Sequence, residues 1–156
     1  MKTLVVYYSR SGHNESLARN IAKKLNNSEI EEIVDLKNRE GGWGIFISIL
    51  GQFSKKLTQI QTQINNPKDF DLVVIVSPLW AGILPSPTRT YIAKNNENLK
   101  KYAFISVSGS GKDNSKAIED IEKTVHQSPS ASLLLSESDY KGDASLQIEE
   151  FLNNLA

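Results

Sequence analysis

The chain of 156 residues contains no cysteine, which excludes disulfides, thiolate metal sites, iron–sulfur clusters and a catalytic thiol. Histidine is nearly as scarce. His13 and His126 stand far apart without carboxylates at ligand spacing, so no metal site is expected. Net charge is lacking too: Lys plus Arg and Asp plus Glu number 18 each. A chain without a basic surplus has no electrostatic footprint for nucleic acid. No apolar run approaches the ~20 residues of a membrane span, so no membrane insertion is expected. The first residues enter a strand pattern with no charged-then-apolar leader, and the expectation is a cytoplasmic protein.

What the chain does have is a regular alternation of apolar patterns. Hydrophobic residues make up 39% and charged residues 23%, a globular composition with enough apolar material for one core. Strand-like runs fall at residues 3–8, 29–36, 72–76, 103–107 and 132–135. The third and fourth are almost continuously apolar and rich in Val and Ile, as expected of parallel strands covered on both faces. Helical spacing links Leu17, Ala18, Ile21, Ala22 and Leu25, then Phe46, Ile49, Leu50, Phe53, Leu57 and Ile60 despite Gly51. It returns at Ile118, Ile121 and Val125 behind the N-cap candidates Asp113, Asn114 and Ser115, and at Ile148, Phe151, Leu152 and Leu155. Pro85 and Pro87 sit where a helix would begin, the position proline tolerates best.

Strands alternating with helices imply right-handed crossovers, and hence a parallel sheet with helices on both sides. The expected class is a three-layer α/β/α sandwich, one domain over residues 1–156. Gly41-Gly42-Trp43-Gly44 reads as a local turn rather than a boundary, with Trp43 packing on a helix or covering a loop.

In such a sheet, ligands bind at the carboxyl ends of the strands, so the residues after each strand carry the information. After the first comes Ser9-Arg10-Ser11-Gly12-His13-Asn14, and a helix starts at once. Backbone N–H groups at a helix start have no intrahelical partner, and the helix dipole favours an anion there. After the third strand comes Ser77-Pro78-Leu79-Trp80-Ala81-Gly82, and after the fourth Ser108-Gly109-Ser110-Gly111. Rich in Ser, Gly and aromatic residues and poor in carboxylates, these loops suit a planar ligand that carries a phosphate.

Three other nucleotide or nucleophile signatures fail. Gly109-Ser110-Gly111-Lys112-Asp113 lacks the first glycine and the Ser/Thr of a phosphate-binding P-loop. No Gly-x-Ser-x-Gly elbow occurs, and no Gly-x-Gly-x-x-Gly follows the first strand.

The loops resemble those of flavodoxin-like, FMN-binding flavoproteins. The first is similar to that family's Ser/Thr-x-Thr/Ser-Gly-x-Thr phosphate loop, and Ser77–Gly82 to its Thr-Pro-x-Trp-x-Gly type of flavin loop. Asp69-Phe70-Asp71-Leu72-Val73 and Arg89-Thr90-Tyr91 extend the likeness, which runs through the whole chain in order. The resemblance implies a five-stranded parallel sheet in the order 2-1-3-4-5 with FMN at the junction of strands one and three. It implies that Ser9, Arg10, Ser11, Gly12, His13 and Asn14 surround the phosphate. Pro78, Leu79, Trp80, Ala81 and Gly82 would lie along the ring, Trp80 stacking on it. Ser108, Gly109, Ser110 and Gly111 would border its pyrimidine end.

Three features depart from the family pattern. Asn14 stands where the pattern has Thr, leaving an amide to donate to the phosphate. Arg10 and His13 add charge to a loop that needs none. The third loop has no aromatic residue, which leaves one ring face open to a substrate. His13 reads as a neighbour of the phosphate rather than a base, and His126 as structural.

The leading expectation is thus an FMN-binding protein of electron transfer or oxidoreduction, meeting a redox partner protein. The alternative is an NAD(P)H-dependent FMN or quinone reductase with a small acceptor. Balanced charge lacks the acidic field that steers electron carriers to basic partners, while no NAD(P)H site is recognisable. A third reading, a flavodoxin-like binding module without FMN, is motivated by Asn14.

Overall fold

A computed structural model of the chain describes residues 1–36, 57–109 and 115–155. Five strands, β1 (Thr3–Tyr7), β2 (Ser28–Glu32), β3 (Leu72–Val76), β4 (Tyr102–Ser108) and β5 (Ser132–Ser136), form one sheet. All pairings are parallel and the order is β2-β1-β3-β4-β5, as expected. The described helices are α1 (His13–Lys24), α2 (Ser86–Asn95), α3 (Ser115–Val125), α4 (Glu137–Lys141) and α5 (Ser145–Asn153). Among the described residues no helix is long and apolar enough to cross a membrane.

Strand alternation divides the core in two. Val5, Tyr7, Val74, Val76, Ile105 and Val107 face α1 and α5 and meet Leu17, Ile21, Ile148 and Phe151. Leu4, Val6, Ile75 and Phe104 face the other way and meet Tyr91 and Ile92 of α2 and Ile121 of α3. Strands β1, β3 and β4 are buried along their whole length, which is why they read as unbroken apolar runs. At about 1.5–3 kcal/mol for each buried aliphatic side chain, these three strands anchor the fold. Edge strand β2 is different: Glu29, Ile30 and Glu32 are exposed.

Pro85 precedes α2 and Pro87 lies in its first turn, as their positions suggest. His126 follows α3 rather than ending it, with φ 57° in the left-handed region.

Two expectations need correction. The second strand stops at Glu32 rather than Leu36, and Leu57 and Ile60 lie on no helix. Asp35 and Ile60 instead form an antiparallel bridge. Leu36 N–H donates to Gln59 C=O at 3.0 Å, and Gln61 N–H to Val34 C=O at 2.9 Å. Cross-chain pairing holds this stretch extended, and the helical spacing of its side chains yields to it. The rest of that stripe (Phe46, Ile49, Leu50, Gly51, Phe53), the Gly41–Gly44 turn with Trp43, and the cap candidates Asp113 and Asn114 lie outside the described residues. Ser115 is itself the first residue of α3.

Candidate functional site

Three loops meet at the carboxyl edge of the sheet. The first leaves β1 through Tyr8, whose N–H still donates to Val76 C=O at 3.0 Å. Ser9 Oγ then accepts the N–H of Gly12 at 3.1 Å, closing a tight turn. Gly12, at φ 86°, is the N-cap of α1. That backbone angle strains any residue with a Cβ, and a Cβ built there would meet nothing within 4 Å. The first helical bond runs from Ser16 N–H to Gly12 C=O at 2.9 Å. The N–H groups of His13, Asn14 and Glu15 come before it and have no intrahelical acceptor. His13 Nδ1 lies 3.3 Å from Ser11 Oγ and 3.8 Å from Glu137 Oε1. Its ring stands edge-on to Tyr140, so α4 closes this side of the loop.

Asn14 does something the sequence does not announce. Only 2% exposed, its amide donates to Val107 C=O at 2.8 Å and accepts Val107 N–H at 2.9 Å. Ser77 N–H donates to Ile105 C=O, so Val107, two residues on, turns its N–H and C=O toward the same β3 edge. There β3 has already ended, at Val76, so no strand neighbour meets Val107. The Asn14 carboxamide stands in for the missing strand and satisfies two backbone groups that burial would otherwise leave unpaired. Thus the amide oxygen and one amide proton of Asn14 face β4. Its backbone N–H remains at the helix start.

The second loop begins with Ser77, fully buried, its hydroxyl 2.7 Å from that of Thr88 on α2. Leu79 is buried behind it. Trp80 and Ile83 exchange both backbone hydrogen bonds, each 3.0 Å long. The turn between them places Ala81 at φ 51° and Gly82 at φ 74°, the paired positive angles of a type I′ turn. The half-buried Trp80 ring stands edge-on to Tyr8, centroids 6.1 Å apart. Arg10, from the first loop, sets its guanidinium 5.4 Å from the Trp80 ring centroid. Phosphate-loop and ring-loop candidates therefore touch. In the third loop, Ser108 is 4% exposed and its hydroxyl has no partner among the described residues. A Cβ at Gly109 would meet nothing within 4 Å. Ser110 and Gly111 lie outside the described residues.

No cluster of three or more His, Asp or Glu among the described residues could hold a metal. Beside the first loop, burial and then the Glu32 carboxylate push the Tyr7 phenol up. A groove of about 420 Å³ between α2 and α3, bordered by Arg89, Ile92, Lys116 and Ile121, meets the three loops only at Ile83. Sequence reading did not find Tyr8, Val107, Thr88, Glu137 or Tyr140 as neighbours of the site. Of these only Tyr8 carried a signal, an aromatic residue at the end of the first strand.

No protein-family model matches the chain, and no curated protein sequence does. Solved structures do. A Lactobacillus acidophilus flavoprotein solved in complex with FMN matches with TM-score 0.71 at 21% identity, over 96% of this chain and 97% of that one. The likeness is one of fold. The same flavodoxin-like fold appears in a candidate flavoprotein from Bacteroides uniformis, with TM-score 0.77 and 20% identity over 97% of both chains. It appears again in a Streptococcus pneumonia flavodoxin, with TM-score 0.61 and 14% identity over 99% of this chain and 97% of that one.

Proposed function

We propose that the chain binds FMN at the carboxyl edge between β1 and β3 and serves electron transfer. The observation that carries this reading is the convergence of the three loops. An anion-ready helix start, an aromatic turn and a glycine-bearing strand end face one another, with Arg10 and Trp80 in contact. Open sheets of this order bind their ligands at that crevice. The residues fit the cofactor in two further ways. A Cβ at Gly12 or Gly109 would meet no described atom within 4 Å, and the buried Ser108 hydroxyl has no partner among the described residues, leaving it available to a ligand.

In this reading the N–H groups of His13, Asn14 and Glu15, with the hydroxyls of Ser9 and Ser11, hold the phosphate. Arg10 adds positive charge beside it, and the His13 ring borders it. Pro78, Leu79, Trp80, Ala81 and Gly82 line the ring, and Ser108 to Gly111 border its pyrimidine end. The bound flavin supplies the redox chemistry; the chain supplies position and electrostatics. Titration with FMN tests this directly. Quenching of flavin fluorescence to a stoichiometric end point is expected, and unchanged fluorescence would leave a binding module without FMN.

A second reading, an NAD(P)H-dependent reductase acting on FMN or a quinone, is favoured by one feature. Ser108-Gly109-Ser110-Gly111 offers no aromatic ring, so one flavin face would stay open to a substrate. Anaerobic mixing separates the two: rapid bleaching by NADPH with quinone turnover indicates the reductase, and inertness toward NADPH the carrier.

A further inference from the structure

We infer that Asn14 is a positioning residue that couples the phosphate end of the site to its ring end. The inference rests on the FMN reading above. Asn14 belongs to both ends at once. Its backbone N–H is one of the three at the start of α1 without an intrahelical acceptor, while its buried side chain grips both backbone groups of Val107. Val107 is followed directly by Ser108, whose buried hydroxyl has no partner among the described residues, and by Gly109, where a Cβ would meet no described atom within 4 Å. An anion held by the helix start fixes Asn14. Asn14 then fixes the end of β4 and presents Ser108 and Gly109 to the ring. Sites joined by one rigid element affect each other's ligands reciprocally.

A split ligand measures this coupling. Riboflavin fills the ring end without a phosphate, and inorganic phosphate fills the other. In the full chain, saturating phosphate is expected to tighten riboflavin binding by about 5-fold or more, the lower end of usual coupling between sites. Chloride at equal ionic strength should not. In Asn14→Ala, riboflavin should still bind, and the phosphate effect should fall to under about 2-fold. A residue that served folding alone would weaken binding without abolishing that dependence.

Three results count against the inference. Full coupling in Asn14→Ala, or none in the wild-type chain while FMN still binds, overturns it and leaves the FMN reading standing. A wild-type chain that binds neither FMN nor riboflavin overturns both. Should Asn14→Ala fail to fold, hydrogen exchange on the wild-type chain decides. Phosphate alone is expected to slow exchange of the Val107 N–H, and an unaltered rate rejects the coupling.

Discussion

Trp80 and Ile83 face each other across a two-residue turn, exchanging both backbone hydrogen bonds at 3.0 Å. Such a turn needs positive φ at both central positions, and Ala81 adopts one at 51°. An alanine there carries about 1–2 kcal/mol of steric strain. Asparagine tolerates that region better, and Asn-Gly is a preferred pair in this turn. Ala81→Asn is therefore expected to raise stability by about 0.5–1 kcal/mol, read from urea unfolding. A loss of stability would show that the turn is not strained.

Removing the Asn14 amide leaves the N–H and C=O of Val107 buried without partners. Each such group costs about 1–3 kcal/mol, so Asn14→Ala should lose about 2–6 kcal/mol in total. Chemical denaturation provides the number. A loss below about 1 kcal/mol would mean that water reaches Val107.

If the Trp80 indole packs on the flavin, its removal takes away both apolar area and the aromatic contact, worth about 0.5–1.5 kcal/mol beyond area alone. Trp80→Ala should weaken FMN binding about 10-fold or more and alter the visible spectrum, while Trp80→Phe should recover most of the affinity. Equal affinity in all three proteins would assign the ring to packing on Tyr8 and Arg10.

Burial holds the Tyr91 phenol well above its ordinary value, and the Glu31 carboxylate adds to the effect. Its hydroxyl also lacks a partner among the described residues. The native state keeps this proton where the unfolded chain gives it up. The group's stabilising contribution is therefore whole below about pH 10 and is lost as pH rises beyond it. Tyr91→Phe should be as stable as wild type at pH 7 or better by about 1 kcal/mol, with a shallower loss above about pH 10. Urea midpoints measured across that range would reveal it, and parallel curves for the two proteins would refute it.

The strands were legible because their burial is written in them. Residues 72–76 read as a covered parallel strand and form one, and five such runs sufficed for the sheet order through the family resemblance. Pro85 and Pro87 marked the start of α2, Pro85 as its N-cap and Pro87 in the first turn, where no intrahelical N–H bond is lost. Leu57 and Ile60 misled because a helical period in side chains does not reveal a backbone partner, and here Val34 and Leu36 supply one. The short helix α4 carries no apolar stripe; it starts from a capping box between Ser136 and Asp139. At the site, the loop residues declared themselves by type, whereas Asn14 did not declare its role. Nothing local tells an amide meant for a ligand from one meant for a strand 93 residues away.

Strand β2 forms one margin of the sheet and carries Glu29, Glu31 and Glu32. A copy of the chain aligning its own β2 alongside would set three carboxylates against three more, with like charges opposed across the new seam. Like charge along β2 thus opposes that pairing. Acidification or neutral replacements along β2 would lift that opposition, and ordered stacking of copies should begin there.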